Sequence, residues 1–265
     1  IRAPRADAIF LQRVRDDANI RPFLERLGAL GTEANQAPYI DLSGFASFED
    51  YDGAMFTRRK QRERKRLRRR LDEMGPVTLD RGLTGEAARA GATAAIVLKR
   101  RWLAEKSLAS KALTDDRSLG FMADIAADAE SGVDTRVNVL KSGETTAGAQ
   151  IGFAYKGTLS MHVIVYDLRF QKAGVGVLHL ADKIEQAFED GLDRIDLLAP
   201  TADYKRTWAT GAVGVSDYCY GANRRGRLFV SLYLKRIRPV LKTIAPMVPL
   251  SLRKQIRTVA ASVGV

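Results

Sequence analysis

The feature that most narrows the folds open to this chain is a change of hydrophobic period across one glycine-bearing turn. Arg136–Leu140, Thr146–Tyr155 and Leu159–Tyr166 alternate apolar with polar residues. Ser142-Gly143-Glu144 and Lys156-Gly157 read as the turns between them, so three successive antiparallel strands are expected. Asp167 to Gly176 follows, and then Val177, Leu180, Ala181, Ile184 and Phe188 make a stripe of helical period. Gly191 closes that helix, and Ile195–Leu198 reads as a returning strand.

Upstream the pattern is helical. From Phe56 to Met74, Leu67, Leu71 and Met74 share one face, ten Arg and Lys side chains between Arg58 and Arg70 cover the rest, and Gly75-Pro76 ends the helix. A short strand at Val77–Leu79 leads to a helix from Gly85 to Lys106 with Ala94, Ala95, Leu98 and Trp102 inward. Another runs from Thr114 as N-cap to about Glu130, with Leu119, Met122, Ile125 and Ala126 inward. Residues 1–55 are expected to pack on this body, with a helix near Arg21–Leu30 and a strand at Ala37–Leu42. Residues 56–226 form the main domain. Residues 227–265 form a basic amphipathic tail, helical from Leu228 to Ala245.

A chain of 265 residues, 46% hydrophobic, has room for one large domain or two small ones. Its net charge of +12 attracts anions, whether cofactor phosphates, nucleic acid, acidic glycans or anionic lipids. The single cysteine, Cys219, excludes an internal disulfide framework and fits a cytosolic compartment as a small apolar strand residue. There is no apolar run of the ~20 residues that cross a bilayer. No carboxylate and histidine cluster has metal-ligand spacing, so no metal is expected. His162 and His179 have no serine or cysteine to pair with and read as packing or surface residues, and Trp102 and Trp208 read as core.

A strand that ends in a glycine turn and feeds a helix aims free backbone N–H groups and the positive end of the helix dipole at one point, which binds anions. Gly174 and Gly176 let a phosphate approach the amides closely, and Gln171 and Lys172 can add donors from the rim. The preceding hairpins, the missing third glycine and the missing acidic partner argue against a dinucleotide site. No Gly-Lys-Ser/Thr follows, so a Walker loop is absent.

The arrangement Gln171-x-x-Gly174-x-Gly176 between strand and amphipathic helix resembles the Gln/Arg-x-x-Gly-x-Gly/Ala motif of the GNAT acyltransferases. The arginine-rich helix, Arg101-Trp102, and Asp196 followed by Tyr204-Lys205-Arg206-Thr207-Trp208 resemble the branch named for the cellulose-biosynthesis protein CelD, related to FemAB-type transferases. The likeness runs from Phe56 to Trp208, with Leu197 where an aromatic is more usual. It implies an α/β fold with a mixed, mainly antiparallel sheet flanked by helices. Residues 1–55 could then be what remains of a first such half in a tandem arrangement.

The resemblance further implies acyl-CoA as cosubstrate, its pyrophosphate held at Gln171, Lys172, Ala173, Gly174, Val175 and Gly176. A backbone N–H near Val165 or Tyr166 would hold the oxyanion. Asp196, Tyr204 and Lys205 are the candidates for proton transfer and substrate contact, Tyr204 standing where many relatives protonate the leaving thiolate. The implied reaction is N-acylation of a primary amine in a polysaccharide precursor or a lipid such as a sphingoid base. The expected setting is cytoplasmic, with peripheral attachment at the inner face of an anionic membrane through the basic helices. One rival is a FemAB-like transferase using aminoacyl-tRNA, and another is a non-catalytic membrane or nucleic-acid module.

Overall fold

The computed structural model describes residues 6–108 and 110–232. In chain order its elements are β1 (Ala8–Arg15), α1 (Arg21–Arg26), β2 (Leu30–Asp41), α2 (Phe48–Met55), α3 (Arg58–Asp72), β3 (Val77–Asp80), α4 (Gly85–Glu105), α5 (Lys111–Thr114) and α6 (Asp116–Ala127). There follow β4 (Asp134–Ser142), β5 (Thr145–Tyr155), β6 (Thr158–Tyr166), a 3-10 turn (Leu168–Ala173), α7 (Val175–Glu189), β7 (Arg194–Asp196), α8 (Asp203–Trp208), β8 (Gly211–Gly221) and α9 (Arg224–Leu228). Residues 36–213 form one compact unit, and among the described residues 6–35 with 214–232 form another.

In the smaller unit β1 pairs antiparallel with β8, Phe10 opposite the buried Cys219. Helix α1 stops at Arg26, short of the expected Leu30, because Gly28 takes a left-handed backbone (φ 67°) that ends the helical path. Asn223 caps α9 by accepting from the Gly226 amide at 2.9 Å. The tail helix expected to reach Ala245 lies outside the described residues from 233 on.

In the larger unit the strand order is β2-β7-β6-β5-β4-β3. All neighbours run antiparallel except β6 and β7, which are parallel. The period of two in β4–β6 sends alternate residues to opposite faces. In β6 the extra residue His162 switches the phase, so that Leu159 and Met161 face one side and Val163 and Val165 the other. Val137, Val139, Ala149, Ile151, Val163 and Val165 pack under α4, whose Ala88, Ala92, Ala95 and Ile96 are buried, and under Ala126 of α6. On the other face Leu159, Met161 and Ile195 pack with Leu180 and Ile184 of α7 and Tyr51 of α2. Each fully buried Ile or Leu contributes about 1.5–3 kcal/mol, and these two layers fix the sheet between helices.

The hairpin strands fall where period and turns predicted them, and local chemistry moves other boundaries. Asp115, not Thr114, caps α6 by accepting from the Arg117 amide at 2.9 Å, and Thr114 ends the separate α5. Strand β7 stops at Asp196, two residues before the expected Leu198, which has φ 58° and leaves the extended path. On α7, Leu178 is buried while Val177, assigned to the inward stripe, is 39% exposed. Met74, expected on the apolar face of the basic helix, lies past its end and is 49% exposed.

Candidate active site

The site begins with a mismatch between β6 and β7. They pair only over Thr158–Ser160 against Arg194–Asp196. On its other side β6 carries a bulge: Ile151 faces Val163 and Gly152 faces Met161, so His162 is the extra residue. A bulge bends its strand and raises the local twist. Strand β6 therefore leaves β7 just after Ser160, and a groove opens beside Ile164, Val165 and Tyr166.

That groove is a cavity of about 390 Å³. One wall is Ile164, Val165 and Tyr166 of β6, and another is Lys99 and Trp102 of α4. The turn residues Gln171, Gly174 and Gly176 close one side, with Val177 and Leu180 of α7. Pro200, Ala202, Tyr204, Lys205 and Trp208 come from the segment after β7. Val177 and Tyr204, 39% and 45% exposed, show that it opens to solvent.

Backbone polarity within the groove follows from register. The Asp167 amide donates to Ala147 O at 2.9 Å, and Val165 lies opposite Ala149. Alternate residues of a strand direct their amides and carbonyls to opposite edges, so the backbone of Val165 faces β5 and that of Ile164 and Tyr166 faces the groove. The Lys99 ammonium accordingly donates to Ile164 O at 3.1 Å.

The turn after β6 starts from Asp167, a buried carboxylate that accepts from the Arg169 amide at 2.9 Å and is flanked by the Arg169 guanidinium. These contacts with Arg169 hold its pKa below the ordinary aspartate range. The chain then reaches Gly174 in the left-handed region (φ 68°) and enters α7 with no side-chain cap. The amides of Val177 and Leu178 donate back to Gly174 O at 2.9 and 3.1 Å. Those of Val175 and Gly176 are left without a protein acceptor, at the positive end of a helix of 15 residues. Gln171 and Lys172 are exposed on the rim, and Ala173 is buried beneath. A Cβ on Gly176 would stand 3.0 Å from the Tyr166 ring, so this glycine lets the tyrosine lie over the start of α7.

The other candidates take distinct positions. Tyr204 lines the groove, where burial first and the neighbouring Tyr166 second raise its phenol above the ordinary tyrosine value, although nearly half the residue is exposed. Lys205 lines it too, its ammonium donating to Leu198 O at 2.7 Å and Pro200 O at 3.0 Å. Asp196 is buried behind the wall, with Oδ1 accepting from the Leu198 amide at 2.8 Å. Trp208 is buried in the core and Trp102 packs against core residues, as read from sequence, and both also line the groove. Sequence reasoning missed Lys99, because a lysine on a helix ordinarily reads as a solvated charge. Among the described residues no group of three His, Cys, Asp or Glu side chains is placed to hold a metal.

Residues 58–206 match the acetyltransferase (GNAT) domain family. The chain belongs to the GNAT family. It is an acyltransferase by that membership, and the match spans the basic helix, strands β3–β7, the turn before α7 and most of α8. Among solved structures, FemX superposes with a TM-score of 0.57 at 11% identity, over 86% of this chain and 75% of that one. The structure of L-PGS from Bacillus licheniformis gives 0.53 at 13% identity, over 86% and 73%. At such identity the likeness is one of fold. No curated protein matches the chain in sequence. No helix among the described residues is long and apolar enough to cross a membrane.

Proposed function

We propose that this GNAT domain transfers an acyl group from a coenzyme A thioester to a primary amine. The observation that carries the reading is the unpartnered amide of Gly176, at the start of α7 and on the groove beside Ile164–Tyr166, with the fully buried Val175 behind it. It offers a pyrophosphate a backbone donor and the helix dipole, and Gln171 and Lys172 add side-chain donors from the rim.

In this reading the amine nitrogen attacks the thioester carbon and the carbonyl electron pair moves onto oxygen. The groove-facing Tyr166 amide stabilises that oxyanion, since the Val165 amide is turned toward β5. Collapse breaks the C–S bond and sends its electron pair to sulfur. The Tyr204 phenol gives its proton to the thiolate, and the proton lost from the new amide nitrogen returns to the phenolate through solvent at the open side. Its raised pKa keeps Tyr204 protonated until it is needed. Lys205 and Asp196 hold the segment after β7 that carries Tyr204. The acceptor is an amine of a polysaccharide precursor or lipid, met at an anionic membrane surface.

A second reading, transfer from an aminoacyl-tRNA, is supported by the exposed Arg59, Arg62, Lys65, Arg66, Arg69 and Arg70 on the helix whose Leu67 meets the turn. Titration calorimetry with coenzyme A tests the first. Binding by the wild type and its loss in Gly174→Trp are expected, because a side chain at Gly174 would be driven into Leu67 and displace the turn that presents the amides. A wild type that binds no coenzyme A but turns over charged tRNA would replace the first reading by the second.

A further inference from the structure

The groove has a charge asymmetry that acyl transfer to an amine does not require. Of the described residues lining it, Lys99 and Lys205 carry ammonium groups and none is an aspartate, glutamate or histidine. An acceptor arriving as a simple ammonium would meet two like charges and no counter-charge.

The two lysines are held differently. Lys205 is met by the Leu198 and Pro200 carbonyls. Lys99 makes one hydrogen bond, to Ile164 O at 3.1 Å, and stands 4.5 Å from the centroid of the Trp102 ring. An ammonium has three donors, so two of those on Lys99 lack a protein acceptor on a half-buried group among apolar and aromatic walls. Burial accordingly lowers its pKa. A cation left short of acceptors in such a wall is costly to the free protein and gains when a ligand brings an anion to it.

Its place in the groove narrows what that anion is. The proposed pyrophosphate site lies at the start of α7, at Gly176 with Gln171 and Lys172 on the rim. Lys99 instead touches the β6 edge at Ile164, next along that edge to the Tyr166 amide on which the reacting carbonyl rests. We propose that Lys99 pairs with a carboxylate or phosphate carried close to the reacting centre, on the acceptor amine or on the acyl chain. This rests on the acyl-transfer reading above, and it narrows the substrates to a class with an anionic group near the amine or the thioester.

Calorimetry on wild type, Lys99→Met and Lys99→Arg, with two matched pairs of probes, tests it. The donor pair is succinyl-CoA against butyryl-CoA. The acceptor pair consists of acylated-product mimics, N-acetylphenylalanine against N-acetylphenylalaninamide, each with coenzyme A present. The expected result is a preference of about 10- to 100-fold for the anionic member of one pair, the range of a charged hydrogen bond. That preference should vanish in Lys99→Met and persist in Lys99→Arg, and the pair that shows it says which substrate carries the anion. Two neutral-tolerant pairs in the wild type, or a preference that survives in Lys99→Met, would overturn the proposal. So would a Lys99→Met that weakens coenzyme A alone by the same factor, since the lysine would then serve the pyrophosphate. Failure of the wild type to bind coenzyme A counts against the transfer reading only, and the acceptor pair is then read without it.

Discussion

Leu67 packs on Gly174 so closely that a Cβ built on the glycine would stand 2.6 Å from its Cδ1. The basic helix thus buttresses the turn that faces the groove, and Gly174 is required twice, for this contact and for its φ of 68°. Gly174→Ala is expected to cost about 1–3 kcal/mol in urea denaturation. Leu67→Ala is expected to cost about 2 kcal/mol on its own. The double variant should lose less than the sum, because removing the leucine branches clears the contact and leaves only the left-handed strain of about 1 kcal/mol. Strict additivity would show that steric contact with Leu67 is not what excludes a side chain here.

Tyr204→Phe removes the one proton donor proposed for the leaving sulfur. Its kcat is expected to fall about 100-fold while coenzyme A binds as before. A thioester of a more acidic thiol needs less protonation, so such a donor should recover a good part of the loss. An equal deficit with both thioesters would move the acid elsewhere.

The basic helix divides its cations between packing and surface. The Arg64 guanidinium pairs with Asp52 and lies 4.8 Å from the Phe56 and 5.4 Å from the Trp208 ring centroids, whereas Arg62 is exposed. Arg64→Met should therefore cost about 3 kcal/mol, since it strands a largely buried carboxylate, and Arg62→Met less than about 0.5 kcal/mol. Equal effects in thermal denaturation would mean that Arg64 is as solvated as its neighbours.

Much of this is legible in the sequence alone. Alternation in Thr146–Tyr155 and Leu159–Tyr166, with Gly143 and Gly157 between strands, encodes the hairpins locally, as Gly174 and the apolar stripe encode the turn and α7. What escaped depends on contacts distant in sequence. Lys99 looks like any helix lysine until α4 lies against the open edge of β6. The groove itself comes from a one-residue bulge at His162 and a three-residue β7, neither of which disturbs the apolar pattern. Trp102 reads as core because half of its surroundings are indeed core.

Two groups buried between α7 and the sheet predict a stepped dependence of stability on pH. Burial, and then the Lys183 charge, hold His179 at about 3 against an ordinary 6.5. Burial chiefly lowers Lys183 to about 8 from 10.5, although its ammonium donates to Gln186 Oε1 at 3.1 Å. Between pH 10.5 and 8 the unfolded chain keeps a proton that the native lysine has released, so stability falls as pH is lowered through this window. Below 8 the lysine is charged in both states and the penalty, about 3 kcal/mol, is constant. A second fall begins near 6.5, where the unfolded histidine takes up a proton that the native one refuses until about 3. Denaturation free energies taken as differences from wild type isolate each step. Lys183→Met should be the more stable protein at pH 7 and lose that advantage as pH rises from 8 to 10.5. His179→Phe should flatten the acid step alone. Because the Lys183 charge is part of what depresses His179, Lys183→Met should also shrink the acid step, and an unchanged one would show that the two groups titrate independently.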